Sequence, residues 1–167
     1  MARKKSVVKT MPIRVLEEKA VPYKLRQQSR KEYSAEGVAV DLGVPVANVL
    51  KAMIVQYSES LGSSQFALVV TPGDKRLSLK KIGVVLGDKN TSMASPKDVQ
   101  RVTGFQVGAV SVIGLRRNDI PSYIDQDVLS LEKVIISAGR PDIGIELKPS
   151  NLTIAMPNSR IGDYCEE

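Results

Sequence analysis

Lys51 stands inside the run LKAMIV, whose aliphatic and β-branched residues read as a strand. On a strand, Lys51, Met53 and Val55 share one face. A lysine on a largely apolar face either extends its ammonium to water or holds a fixed positive charge in a pocket. Two glycine-bearing segments lie downstream. TGFQVGAVSVIG carries Gly104, Gly108 and Gly114, and SAGR spans residues 137–140. Glycine lets backbone approach a ligand closely and leaves amides free to donate hydrogen bonds. Neither segment has the GK[ST] ending of a P-loop or the GxGxxG spacing of a dinucleotide site. Taken alone, both read first as strand bulges and turns. The basic pairs Lys80–Lys81 and Arg116–Arg117 are further candidates for binding an anion. Neighbouring helical positions diverge, so Lys80 and Lys81 cannot point the same way, and a solvated face explains them plainly.

Two absences narrow the chemistry. The chain has no His, which excludes a Ser-His-Asp triad, a Cys-His pair and any His-ligated metal. Its one cysteine, Cys165, excludes a disulfide framework and a multi-cysteine zinc site. No metal and no cofactor is expected. An enzyme built from this chain works with Lys, Asp, Glu, Ser, Thr, Tyr, backbone amides or groups on its substrate. Charge adds a partner class: 24 Lys and Arg against 18 Asp and Glu give +6 and a pI near 9.5, which attracts anions, nucleic acids above all. Aromatic residues make up only 4% and Trp is absent, so an RNA contact here is expected to fall mainly on phosphates rather than stacked bases. No apolar run approaches the roughly 18 residues of a membrane span, and the basic start MARKKSVVK lacks a signal peptide's apolar stretch. The expected location is cytoplasmic, with no membrane partner.

The elements that must position these residues are legible in outline. The 167 residues suit one domain. Residues 1–7 read as a basic flexible tail, 8–156 as the domain and 157–167 as a C-terminal tail. A helix is expected over 8–19, with Met11, Val15 and Leu16 on its apolar side, and a strand over 22–28. Ser34 caps a helix over 35–42 that Gly43 ends and Pro45 keeps from resuming. LKAMIVQY and FALVVT read as a strand pair across the polar YSESLGSSQ. Leu79, Ile82 and Leu86 recur at helical spacing up to Gly87. Ser95, Pro96 and Asp98 open another helix as cap, first position and first-turn acid. FQVGAVSVIG, SYID, EKVIISAG and IGIEL follow as candidate strands, and a short helix starts near Ser150. Hairpins interleaved with helices predict a single α+β domain around a mixed, largely antiparallel curved sheet.

In order along the chain, SAEGVAVDLGVPVANVLKAMIV, FALVVTPGDKRLSLKKIGVVLG, MASPKDVQRVTGFQVGAVSVIG and IISAGRPDIGIEL resemble the YbaK/prolyl-tRNA synthetase-associated editing domain family. The resemblance covers nearly the whole chain. It implies a free-standing aminoacyl-tRNA deacylase that hydrolyses the ester of a mischarged tRNA, typically Cys- or Ala-charged proline tRNA. Mischarged tRNA is then the partner, with prolyl-tRNA synthetase as a second one. The family's functional lysine falls on Lys51, and its glycine loop on Gly108, Ala109, Val110, Ser111 and Val112. These residues, with Ser137, Gly139 and Thr71, are the implied substrate-binding set, and Lys80, Lys81, Arg116 and Arg117 the implied RNA contacts. Val112 stands where the family usually has proline, and Ala52 where relatives often carry a hydroxyl; both positions are expected to border the amino-acid pocket. Gly144 occupies a position that is acidic in some relatives. In the implied chemistry Lys51 supplies fixed charge and loop amides hold the carbonyl oxygen. The attacking water's proton goes to a hydroxyl of the terminal adenosine or to Lys51. The alternatives are a non-catalytic RNA or aminoacyl-ligand binding module on the same fold, and a small-molecule binder without RNA.

Overall fold

The structure, a computed structural model, describes residues 9–59 and 62–167. The basic tail expected over 1–7 lies outside the described residues. The helix read over 8–19 is α1 (Met11–Glu18), which buries Pro12, Ile13 and Leu16. Strand β1 (Lys24–Gln27) follows, then α2 (Ala35–Leu42). The Ser34 hydroxyl accepts the Gly37 amide at the start of α2, and Gly43 closes it at φ 68°, the left-handed conformation glycine adopts without a Cβ clash. A 3-10 turn over Val46–Asn48 leads into β2 (Lys51–Ser58) and β3 (Ser64–Thr71), an antiparallel pair in register from Lys51–Thr71 to Ser58–Ser64.

Helix α3 (Leu79–Leu86) and the short β4 (Ser92–Met93) precede α4 (Pro96–Thr103), whose Ser95 cap accepts the Asp98 amide as the sequence predicts. Strand β5 (Ser122–Asp125), a 3-10 turn over Gln126–Ser130, β6 (Val134–Arg140), β7 (Ile143–Leu147), α5 (Pro149–Ala155) and β8 (Arg160–Gly162) complete the chain.

The domain is α+β, with its strands in two sheets rather than one. Sheet order β1-β7-β6 is antiparallel throughout; β4-β2-β3-β5-β8 is antiparallel up to β3 and parallel beyond. The sheets meet where the chain enters β2. There Val49 bridges Ile135, and the Leu50 amide donates to the Ile135 carbonyl at 2.9 Å. The 3-10 turn just before β2 leaves no more extended chain to pair with β6. A main core of Ile54, Leu68, Val70, Ile124, Ile136 and Ile145 fills the space between the sheets and helices. A second cluster of Val55, Val69, Ile82, Tyr123 and Tyr164 packs on the α3 side of β2 and β3.

Two further expectations are corrected. FQVGAVSVIG is a loop, not a strand. Gly108 and Gly114 take φ of 87° and 73°, and the Ala109 amide closes a turn onto the Gln106 carbonyl at 2.9 Å. Its apolar residues Val112 and Ile113 anchor the loop in the core instead of alternating across a sheet. Residues 157–167 are part of the domain rather than a tail. β8 pairs with β5, and Tyr164 and Cys165 are buried. The Tyr164 ring meets Tyr123 edge to face at 5.6 Å, and its amide donates to Asp125 at 2.9 Å.

Candidate active site

A cleft of about 330 Å³ opens where the two sheets meet. Its walls come from the start of β2, the N-terminal end of α2, the β4–α4 junction, the Gly108 loop and the β6–β7 pair. The lining is mainly apolar, with Ile54, Val99, Val107, Val110 and Ile136 among the contributors. Mainly apolar walls with a few placed polar groups are the usual make-up of a small-ligand site.

Lys51 reaches this cleft from the first position of β2. Strand alternation turns its side chain to the face that carries Val55, while Ala52 and Ile54 face the main core. Its ammonium donates to the Lys75 carbonyl in the loop after β3. Among the described residues no carboxylate lies within ion-pair distance of it, so its charge is not neutralised by a partner. The bond to the Lys75 carbonyl uses one of its three N–H donors.

The loop that receives Lys51 is fixed from two sides. Gly73 lies so close to the Val46 and Val49 carbonyls that a Cβ would overlap both. From the other side, the Ser78 amide donates to the Tyr164 carbonyl at 2.8 Å, and the Glu166 amide to the Arg76 carbonyl at 2.8 Å. The C-terminal segment therefore supports the loop on which Lys51 rests. Sequence reasoning missed Gly73, although the TPGD signature between a strand and a helix marks a tight turn.

The two glycine segments meet through Ser137. Its hydroxyl donates to the Ala109 carbonyl at 3.0 Å and accepts the Gly139 amide at 3.0 Å. Gly139 sits at φ 88°, with the Phe105 ring 2.6 Å from where a Cβ would lie. Gly108 packs as tightly on the Tyr33 carbonyl, 2.5 Å from its own absent Cβ. These contacts tie the loop to β6 on one side and to the entry of α2 on the other.

Of the expected substrate-binding residues, Gly108, Val110 and Ser137 line the cleft with Lys51. Ala109, Ser111, Val112, Gly139 and Thr71 do not line it. Ala109 and Val112 are buried in the apolar interior, since the loop must anchor itself there to hold its turn. Ser111 and Thr71 are fully buried, and their hydroxyls have no partner among the described residues. Ala52 borders the cleft as expected and Val112 does not. The expected amide donors are likewise only partly available. Those of Ala109 and Gly139 are already bonded to Gln106 and Ser137, whereas those of Gly108 and Val110 have no intramolecular acceptor among the described residues.

The expected RNA contacts separate sharply. Lys80 is exposed on α3. Lys81 turns inward to Asp163 at 3.0 and 2.9 Å and to the Cys165 carbonyl at 2.8 Å, and its hydrogen bond to Asp163 raises its pKa. Arg117 forks onto Asp119 at 3.1 and 3.0 Å, which leaves exposed Arg116 as the freer of that pair. Gly144 is buried in β7 against Ile135 and brings no carboxylate to the cleft. The charged groups missed by sequence reasoning are Glu32, Glu36 and Arg140, which also line the cleft; the Arg140 guanidinium pairs with Asp142 at 3.0 and 2.9 Å.

A family model described as the aminoacyl-tRNA editing domain matches residues 30–153. Over 166 residues the chain is 31% identical to an Enterococcus faecalis protein named "Putative Cys-tRNA(Pro)/Cys-tRNA(Cys) deacylase EbsC", a match spanning 98% of this chain and 97% of that one. It is 29% identical over 105 residues to a proline–tRNA ligase of Caldicellulosiruptor bescii, where the match spans 63% of this chain and 17% of the ligase. Among solved structures, one described as a hypothetical protein superposes with TM-score 0.83 at 26% identity, over 93% of this chain and 99% of that one. Another, titled "Crystal structure of a putative trans-editing enzyme for prolyl tRNA synthetase", superposes with TM-score 0.81 at 23% identity, over 94% and 96% of the two chains. At that identity the likeness shows the fold.

Proposed function

The chain belongs to the aminoacyl-tRNA editing domain family, and on that premise we propose that it hydrolyses the ester of mischarged aminoacyl-tRNA in trans, with Cys- or Ala-charged proline tRNA as substrate. The observation that carries this reading is the cleft at the sheet junction, where Lys51, Gly108, Val110 and Ser137 converge. The free amides of Gly108 and Val110 suit an ester carbonyl whose oxygen gains charge as water attacks. Lys51, held by a neutral carbonyl and unpaired with any described carboxylate, adds fixed positive charge rather than basicity. The attacking water then passes its proton to the neighbouring hydroxyl of the terminal adenosine, which gives its own proton to the departing ester oxygen. The apolar wall of Ile54, Val99 and Val107 accommodates a small side chain. Such a wall separates ligands differing by one methylene by only about 1–3 kcal/mol, so Ala and Cys are poorly resolved from each other. Exposed Lys80 and Arg116 serve as phosphate contacts, and prolyl-tRNA synthetase is the partner whose errors are corrected. Such a reaction belongs in the cytoplasm, where charged tRNA is used.

The test mixes purified protein with Cys-, Ala- and Pro-charged proline tRNA and follows loss of the aminoacyl group. Faster loss of a mischarged species, with Pro-tRNA spared, supports the reading. Equal decay with and without protein overturns it in favour of a non-catalytic binding module.

A further inference from the structure

Glu32 has the least exposed carboxylate among the acidic side chains lining the cleft. Its side chain is 19% exposed, whereas Glu36, on the first turn of α2, is exposed to solvent. The backbone of Glu32 is pinned, its amide donating to the Pro141 carbonyl at 2.8 Å. The next residue, Tyr33, packs against Gly108. The carboxylate itself lies against Gly37, inside α2, at a point where any Cβ would collide with it. One oxygen of Glu32 accepts from exposed Arg30, and the other has no donor among the described residues. Neither basic group lining the same cleft pairs with Glu32: Arg140 is bound to Asp142, and Lys51 donates to the neutral Lys75 carbonyl.

An aminoacyl ester carries one cation at its reacting end, the α-ammonium. Lys51 and the free amides suit the ester carbonyl, so a carboxylate elsewhere on the same lining suits the ammonium. We infer that Glu32 receives the α-ammonium of the aminoacyl group and makes the free amine a requirement for rapid hydrolysis. The inference rests on the deacylase reading of the same cleft. It is a recognition role, distinct from the steps at the carbonyl carbon.

The experiment compares wild type, Glu32→Gln and Glu32→Asp on proline tRNA charged with Cys or Ala. The same tRNA carrying 2-hydroxy-3-mercaptopropanoate or lactate serves as control, because a hydroxyl there replaces the ammonium at nearly constant size. Glu32→Gln is expected to lose about tenfold or more in kcat/KM on the aminoacyl esters, as befits removal of a charge-assisted hydrogen bond. On the hydroxy-acyl esters it should stay within about twofold of wild type by the same reasoning, since no ammonium is present. Glu32→Asp, which keeps the charge, should retain part of the preference. Equal losses on both ester types, or no loss on either, would overturn the inference, the first result making Glu32 a support for α2 and the second placing ammonium recognition elsewhere. A wild type inert on every ester overturns the deacylase reading itself and the inference with it, a result distinct from either of those.

Discussion

Replacing Ser137 with Ala removes a hydroxyl that bonds in two directions at once. The Ala109 carbonyl loses its donor and the Gly139 amide its acceptor, two bonds of 3.0 Å each. Each is worth about 1 kcal/mol net, and more if the partner left behind finds no water. The expected loss is therefore about 2 kcal/mol. For a domain of this size that corresponds to a fall in Tm of about 4–8 °C. The damage should not stay thermal, because the same hydroxyl joins β6 to the Gly108 loop, two of whose residues line the cleft. A misplacement on the order of 1 Å can cost about a hundredfold in rate. Differential scanning calorimetry gives the first quantity and single-turnover deacylation the second. Ser137→Thr keeps the hydroxyl on a strand position that tolerates β-branching and should recover most of both. An alanine variant with unchanged Tm and unchanged rate would refute the claim that Ser137 couples the two glycine segments.

Gly73→Ala inserts a methyl between the Val46 and Val49 carbonyls; expected is a loss of about 1–3 kcal/mol from overpacking, together with reduced deacylation as the Lys75 carbonyl shifts from Lys51, and a melting curve and rate equal to wild type would contradict it. Lys80→Ala should weaken tRNA binding and flatten its salt dependence by about one charge, whereas Lys81→Ala should chiefly lower thermal stability by freeing the 163–165 segment, and a salt series with paired melts separates the two. Burial, aided by a hydrogen bond to Asp125, pushes the Cys165 thiol up to about 12 from an ordinary value of 9.0. Its folded pKa lies above its unfolded one, so its stabilising contribution is complete below about pH 9 and is lost as pH rises towards about 12. Cys165 in the native protein should therefore resist alkylation at pH 8 and react promptly once unfolded; equal labelling in both states would contradict its burial.

Local signals in the sequence account for the elements that matched. Ser34 with Gly43, and Ser95 with Pro96, mark helix ends by chemistry that needs no distant partner. The hairpin of β2 and β3 follows from two β-branched runs separated by a polar link. The failures are equally specific. The apolar alternation of FQVGAVSVIG serves core anchoring within a loop, and only the positive φ of Gly108 and Gly114 distinguishes that from a strand. The burial of Tyr164 and Cys165 depends on Tyr123 and Asp125, about forty positions earlier, a contact no local pattern announces. At the site, the placing of Lys51 at the start of a strand and of two glycine segments nearby was legible. That Ser111, Val112 and Thr71 face the interior, and that Glu32 joins the cleft lining, depends on tertiary packing.

The central claim is that the cleft beside Lys51 hydrolyses mischarged tRNA through fixed positive charge. The most direct measurement is the single-turnover deacylation rate of Cys- and Ala-charged proline tRNA by wild type and by Lys51→Ala, with folding verified by circular dichroism. Loss of a fixed charge or donor at a developing oxyanion is worth on the order of 3 kcal/mol, so the rate should fall by about a hundredfold or more while tRNA binding changes little. A folded Lys51→Ala protein that deacylates at the wild-type rate would contradict the account.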